Sequence, residues 1–93
     1  RLLVSVRSPK EAAIALESGA DLIDIKEPNT GSLGAAPTQT ICEVVQVIQG
    51  RVPVSAALGE WNDWYQQPTK IPRGLRFVKW GFSHRDHLPK LNE

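Results

Sequence analysis

Asp24 and Lys26 stand two residues apart in the stretch DLIDIKEP, Asp21 to Pro28. Side chains alternate across a strand, so the two share one face while Ile23 and Ile25 occupy the other. A charged pair on an otherwise apolar strand is costly unless its members are paired or used. The chemistry open to such a pair is carbonyl chemistry. A lysine amine adds to a small aldehyde or ketone and forms a Schiff base, provided that burial or a nearby cation keeps part of it uncharged. A neighbouring carboxylate can move the protons of imine formation and dehydration. Lys79, in the later stretch FVKWGF, is placed to supply the cation. The plainer alternative is a structural ion-pair cluster of Asp24, Lys26 and Lys79, although a buried pair is a poor route to stability.

These side chains need a scaffold, and the chain reads as alternating strands and helices. Leu2 to Val6 forms a first strand, with Ser5 and Arg7 on the face opposite Val4 and Val6. Ser8-Pro9-Lys10-Glu11 starts a helix, with Ser8 as N-cap, Pro9 in the first turn and Glu11 completing a capping box. Gly19 ends that helix and Asp21–Glu27 follows as the second strand. The glycine-rich loop from Pro28 to Pro37 leads to a second helix beginning near Thr38 or Thr40, where Thr40 and Glu43 form another capping box. Ile41, Val44, Val45 and Ile48 recur at helical spacing and mark its buried stripe, and Gly50 closes it. Val52 to Leu58 is the third strand. The stretch from Gly59 to Leu75, with Trp61, Trp64, Tyr65, Pro68, Pro72 and Gly74, leaves room for a turn or two of helix and makes the third crossover irregular. Arg76 to Phe82 is the fourth strand, and a short helix is expected to start at Ser83 and to be limited by Pro89.

A βαβαβ pattern with short loops predicts parallel strands joined by right-handed crossovers. Side by side, the four strands carry their polar residues on one face: Ser5 and Arg7, Asp24 and Lys26, Ser55, and Lys79. In a (β/α) barrel, inward residues at the C-terminal ends of the strands build the active site. The pattern is therefore α/β, about four parallel strands with an irregular third crossover, as a partial (β/α) TIM barrel would have.

The composition, 41% hydrophobic and 23% charged over 93 residues, describes one globular unit with a thin core. Net charge is +1, divided between −3 over residues 1–65 and +4 over residues 66–93. The basic end is read as a solvated surface, and nucleic acid is not an expected partner. Stacking of bases on Trp61, Trp64 and Tyr65 near Lys70 and Arg73 is the weaker alternative to these rings covering an apolar face. The single cysteine, Cys42, excludes an intramolecular disulfide and is expected to be a small buried residue of the second helix. No apolar run reaches the length of a membrane span, and LLVSV is too short for a secretory signal. No membrane partner and a cytoplasmic location are expected. His84 and His87 are read as solvent-exposed and not as metal ligands. His84-Arg85-Asp86 lacks the asparagine of a kinase catalytic loop, because position 91 is leucine.

The segments LLVSV, SGADLIDIKEPNTGSLGA, PVSAALGE and FVKWGF closely resemble the (5-formylfuran-3-yl)methyl phosphate synthase family, also named for 4-(hydroxymethyl)-2-furancarboxaldehyde phosphate. The likeness runs from Leu2 to about Phe82, with the segments in family order and spacing. It implies a class I aldolase-like TIM barrel, a carbon-oxygen lyase that eliminates phosphate. Two molecules of glyceraldehyde 3-phosphate would be condensed into a furan precursor of methanofuran-type cofactors. The resemblance puts the imine-forming lysine at Lys26, its acid/base carboxylate at Asp24 and a second active-site lysine at Lys79. It puts the loop Gly31-Ser32-Leu33-Gly34 at the mouth of the site. Ser5, Ser55, Gly31, Ser32 and Gly34 are the expected substrate-binding residues, and no cofactor beyond the covalent lysine imine is expected.

Length is the departure from that family. A full barrel needs about 250 residues and eight strands, so residues 1–93 read as a single truncated unit, roughly the N-terminal half. Such a fragment is expected to be inactive alone. The alternative is an inactive remnant or a self-associating half-barrel, a homo-oligomer held by its bare sheet edges.

Overall fold

The computed structural model describes residues 1–30, 34–68 and 70–82. Four strands, β1 (Leu3–Val6), β2 (Leu22–Ile25), β3 (Val54–Glu60) and β4 (Phe77–Gly81), form one parallel sheet in the order β1-β2-β3-β4. The helices are α1 (Pro9–Glu17), α2 (Thr38–Ile48) and the short α3 (Trp61–Gln66), with a 3-10 turn at Pro28–Thr30. Each strand thus pairs with its sequence neighbour, as expected for an α/β chain whose crossovers all run the same way round. The expected helix after Ser83, and His84 and His87, lie outside the described residues.

Helix α1 starts where its sequence dictates. Ser8 Oγ accepts the Glu11 N–H at 3.1 Å, and Pro9 occupies the first turn, where a missing N–H is harmless. The reciprocal half of the capping box reaches one residue further back, because Glu11 Oε1 accepts the Arg7 N–H at 2.7 Å. Helix α2 departs from expectation. Pro37 sits at its N-cap and no side chain caps it, so Thr40 and Glu43 form no capping box. Glu43 is instead held by Gln39 Nε2 at 3.3 Å, one turn earlier. Its C-terminus turns through Gln49 at φ 52 as well as Gly50 at φ 73. Cys42 is exposed, contrary to expectation, because the buried stripe falls on Ile41, Val44 and Ile48.

The core lies between one face of the sheet and the two longer helices. Val6, Ile23, Ile25, Val54 and Ala56 meet Ala12, Ala15, Ile41, Val44 and Ile48 in a single cluster. Four fully buried isoleucines, Ile23, Ile25, Ile41 and Ile48, each contribute about 1.5–3 kcal/mol of hydrophobic stabilisation. The irregular third crossover is tied down at Gly74, which has φ +93 and backs directly onto Val45 of α2. A β-carbon there would collide with Val45 Cγ1, so this turn needs glycine for both angle and space. Among the described residues no helix is long and apolar enough to cross a membrane.

Candidate active site

The opposite face of the sheet is graded along the strands. Leu3 and Leu22 stand opposite each other near the N-terminal end, and Phe77 of β4 is on the same face but further along, level with Ser55. One step further, Ser5 is level with Asp24 and Asp24 with Ser55, a polar row across three strands. Lys79 is level with Ala57, one step beyond Ser55 towards the C-terminal ends. Lys26, one residue past the paired positions Ile25 and Ala56, stands on the other side of Ala57. The two lysines therefore flank an alanine on the central strand, with backbones roughly 10 Å apart across two strand spacings.

Asp24 is the hub of this face. Its side chain is 1% exposed, and both carboxylate oxygens are engaged. Ser55 Oγ donates to Oδ1 at 2.7 Å, and Lys79 Nζ donates to Oδ2 at 2.8 Å. These are short, charge-assisted bonds from two different strands. Lys79 reaches back along its strand to make its bond and keeps 35% of its side chain exposed. Lys26 is half-buried, and its ammonium has no hydrogen bond or ion pair among the described residues. It lines a cleft of about 520 Å³ together with Ser5, Arg7, Glu11, Ser18 and Pro28. Val4, Val6, Ile14 and Ala15 complete its wall, so the cleft runs between the β1 edge and α1, and Asp24, Ser55 and Lys79 do not line it.

Comparison with known proteins gives this geometry a relation. The sequence profile described as 4-HFC-P synthase matches residues 2–92. The chain belongs to that family. It is 53% identical over 60 residues to a relative in Methylorubrum extorquens, covering 64% of this chain and 25% of the relative. It is 48% identical over 62 residues to the (5-formylfuran-3-yl)methyl phosphate synthase of Methanosarcina mazei, covering 67% and 26%. To the protein of that name in Methanopyrus kandleri it is 45% identical over 60 residues, covering 64% and 25%. The chain thus spans about a quarter of the length of the curated relatives it matches.

Within this 4-HFC-P synthase family member, the structure brings three of the sequence-derived residues together: Asp24, Ser55 and Lys79. Ser5 is exposed and level with Asp24, and its hydroxyl has no protein partner among the described residues. Gly34 is buried, and its carbonyl accepts the Glu27 N–H at 2.8 Å, which ties the loop back to the end of β2 behind Lys26. Gly31 and Ser32 lie outside the described residues. Sequence reasoning missed Ala57 and Arg7. Ala57 matters because a larger side chain between the lysines would fill the space over the central strand. The signal was present in the run Ser55-Ala56-Ala57, where alternation puts the second alanine on the polar face. Arg7 was assigned to this face but given no role; it lines the cleft, held 3.7 Å from Glu11.

Proposed function

We propose that this chain contributes the Schiff-base lysine and its acid/base partners to a synthase that condenses two glyceraldehyde 3-phosphate molecules into (5-formylfuran-3-yl)methyl phosphate. The observation that carries this reading is the pairing of Lys79 with buried Asp24, two residues before Lys26, which has no partner among the described residues. Lys26 Nζ attacks the aldehyde carbon, and the carbonyl electron pair moves to oxygen, which takes a proton. The resulting carbinolamine loses that oxygen as water and leaves an iminium on Lys26. The iminium draws electrons from the adjacent carbon, whose proton passes to the Asp24–Lys79 pair. The nucleophilic carbon so formed joins the second aldehyde; a substrate hydroxyl then adds to the iminium carbon and the Lys26 amine departs, which closes the ring and frees the lysine, and loss of phosphate and water completes the furan. Ser5 and Gly34 stand beside the substrate in this scheme.

The sequential parallel sheet supports a (β/α) barrel as the complete architecture, with the site at the C-terminal ends of the strands. The relatives' greater length would supply the remaining barrel and the phosphate-holding loops. The test is borohydride trapping with glyceraldehyde 3-phosphate in the full protein that carries these residues. The expected result is a reduced adduct on the Lys26 peptide by mass spectrometry, lost in Lys26→Ala. A wild-type protein that turns over substrate without a trappable Lys26 adduct overturns the assignment.

A further inference from the structure

Ser55 is completely buried on the central part of the sheet, followed in sequence by Ala56 and Ala57. An alanine at position 55 would fill nearly the same space, so packing alone does not call for the hydroxyl. Its one proton goes to Asp24 Oδ1 at 2.7 Å. The carboxylate carries no donor of its own when ionised and is free to rotate about its last torsion, which is broad for aspartate. Two donors on two oxygens remove that freedom. They are unequal, however. Lys79 ends a flexible four-carbon stem and is 35% exposed, whereas Ser55 projects one atom from the backbone of a paired strand. Any step that draws the Lys79 ammonium towards substrate loosens one of the two anchors. The other stays.

We propose that Ser55 is the positioning residue of this site: without touching substrate, it holds Asp24 so that Oδ2 alone is turned to Lys79 and to the reacting carbon. The proposal rests on the Schiff-base reading of Lys26. It predicts a serine whose hydroxyl governs turnover and leaves substrate capture untouched. The carboxylate orientation is needed when a proton moves, not when the triose phosphate enters the cleft.

The test compares Ser55→Ala, Ser55→Cys and Ser55→Thr with wild type in the full protein, by steady-state kinetics, borohydride trapping and circular dichroism. Ser55→Ala should lower kcat about ten- to a hundred-fold, the cost of a misplaced reacting group, with KM changed by less than about two-fold. Lys26 should still be trapped. Ser55→Thr, which keeps the hydroxyl, should recover most of the lost kcat. Ser55→Cys, close in shape with a weak S–H donor, should fall between alanine and wild type and carries the comparison if the extra methyl of threonine disturbs folding. Undiminished kcat in a folded Ser55→Ala, or an equal loss in all three variants, overturns the proposal. So does a change confined to KM. If wild type itself yields no Lys26 adduct, the Schiff-base reading has failed; if wild type is trapped and Ser55→Ala turns over normally, only the role of Ser55 has.

Discussion

Two neighbouring residues of β4 face opposite environments. Lys79 reaches into the polar side of the sheet and binds Asp24, while Trp80 turns the other way into an aromatic cluster with α3. On the polar side both carboxylate oxygens of Asp24 have a donor closer than 3 Å. On the aromatic side, the buried indole N–H groups of Trp61, Trp64 and Trp80 have no hydrogen-bond partner among the described residues. Trp61 is the centre of that cluster, stacked on Trp64 at 5.8 Å and edge-on to Trp80 at 5.1 Å and 82°. Ring faces and edges attract through the quadrupole, and each ring buries a large apolar area. That gain outweighs the cost of desolvating three orphan donors, whereas nothing comparable would compensate a misdirected carboxylate. The two sides teach different rules: adhesion tolerates unsatisfied atoms, and a site that must present one oxygen in one direction does not.

The contrast can be broken from either side. Asp24→Asn should have the largest effect, because an amide cannot accept protons from the reacting carbon. Turnover should drop by roughly a hundred-fold or more, in the usual range for losing a positioned acid/base group, as read from initial rates. A variant with near-normal rates would reduce the polar row to a structural feature. Next is Trp61→Ala, which removes the ring in contact with Trp64, Tyr65, Trp80 and Phe82. Loss of a large ring should cost about 3 kcal/mol in chemical denaturation, while the rate of Lys26 adduct formation stays close to wild type. An adduct rate that falls in step with stability would mean that the two sides of β4 are not independent. The smallest effect is expected for Trp64→Phe, which deletes an unpartnered N–H together with some ring area. The two changes oppose each other, so the shift should stay within about 1 kcal/mol. A larger loss would reveal a hidden acceptor for that N–H.

Much of this fold was legible from local rules. Ser8 caps α1 because its side chain and the Glu11 N–H are three residues apart, a contact that needs nothing distant. The stripe Ile41, Val44 and Ile48 is buried as its helical period requires. Where a local signal had a competitor, reading failed. The Thr40–Glu43 capping box does not form because the helix begins earlier, after Pro37, and Gln39 takes the Glu43 carboxylate. Cys42 is exposed because it falls off the buried stripe that its neighbours define. The aromatic cluster was half visible. Trp61, Trp64 and Tyr65 are close in sequence, but Trp80 joins them only because β4 pairs beside β3.

The candidate site divides in the same way. Alternation along single strands is a property of the backbone, so the sequence by itself determined that Asp24 shares a face with Lys26, that Ser5 and Ser55 carry polar atoms to the matching faces of their strands, and that Lys79 and Trp80 point apart. Which of these residues meet was decided by register between strands, and register follows from how helices of given length seat each strand on the core. That register sets Ser55 level with Asp24 and Lys79 one step higher, level with Ala57. Only then does Asp24 receive both its donors while Lys26, at the cleft, has no partner among the described residues.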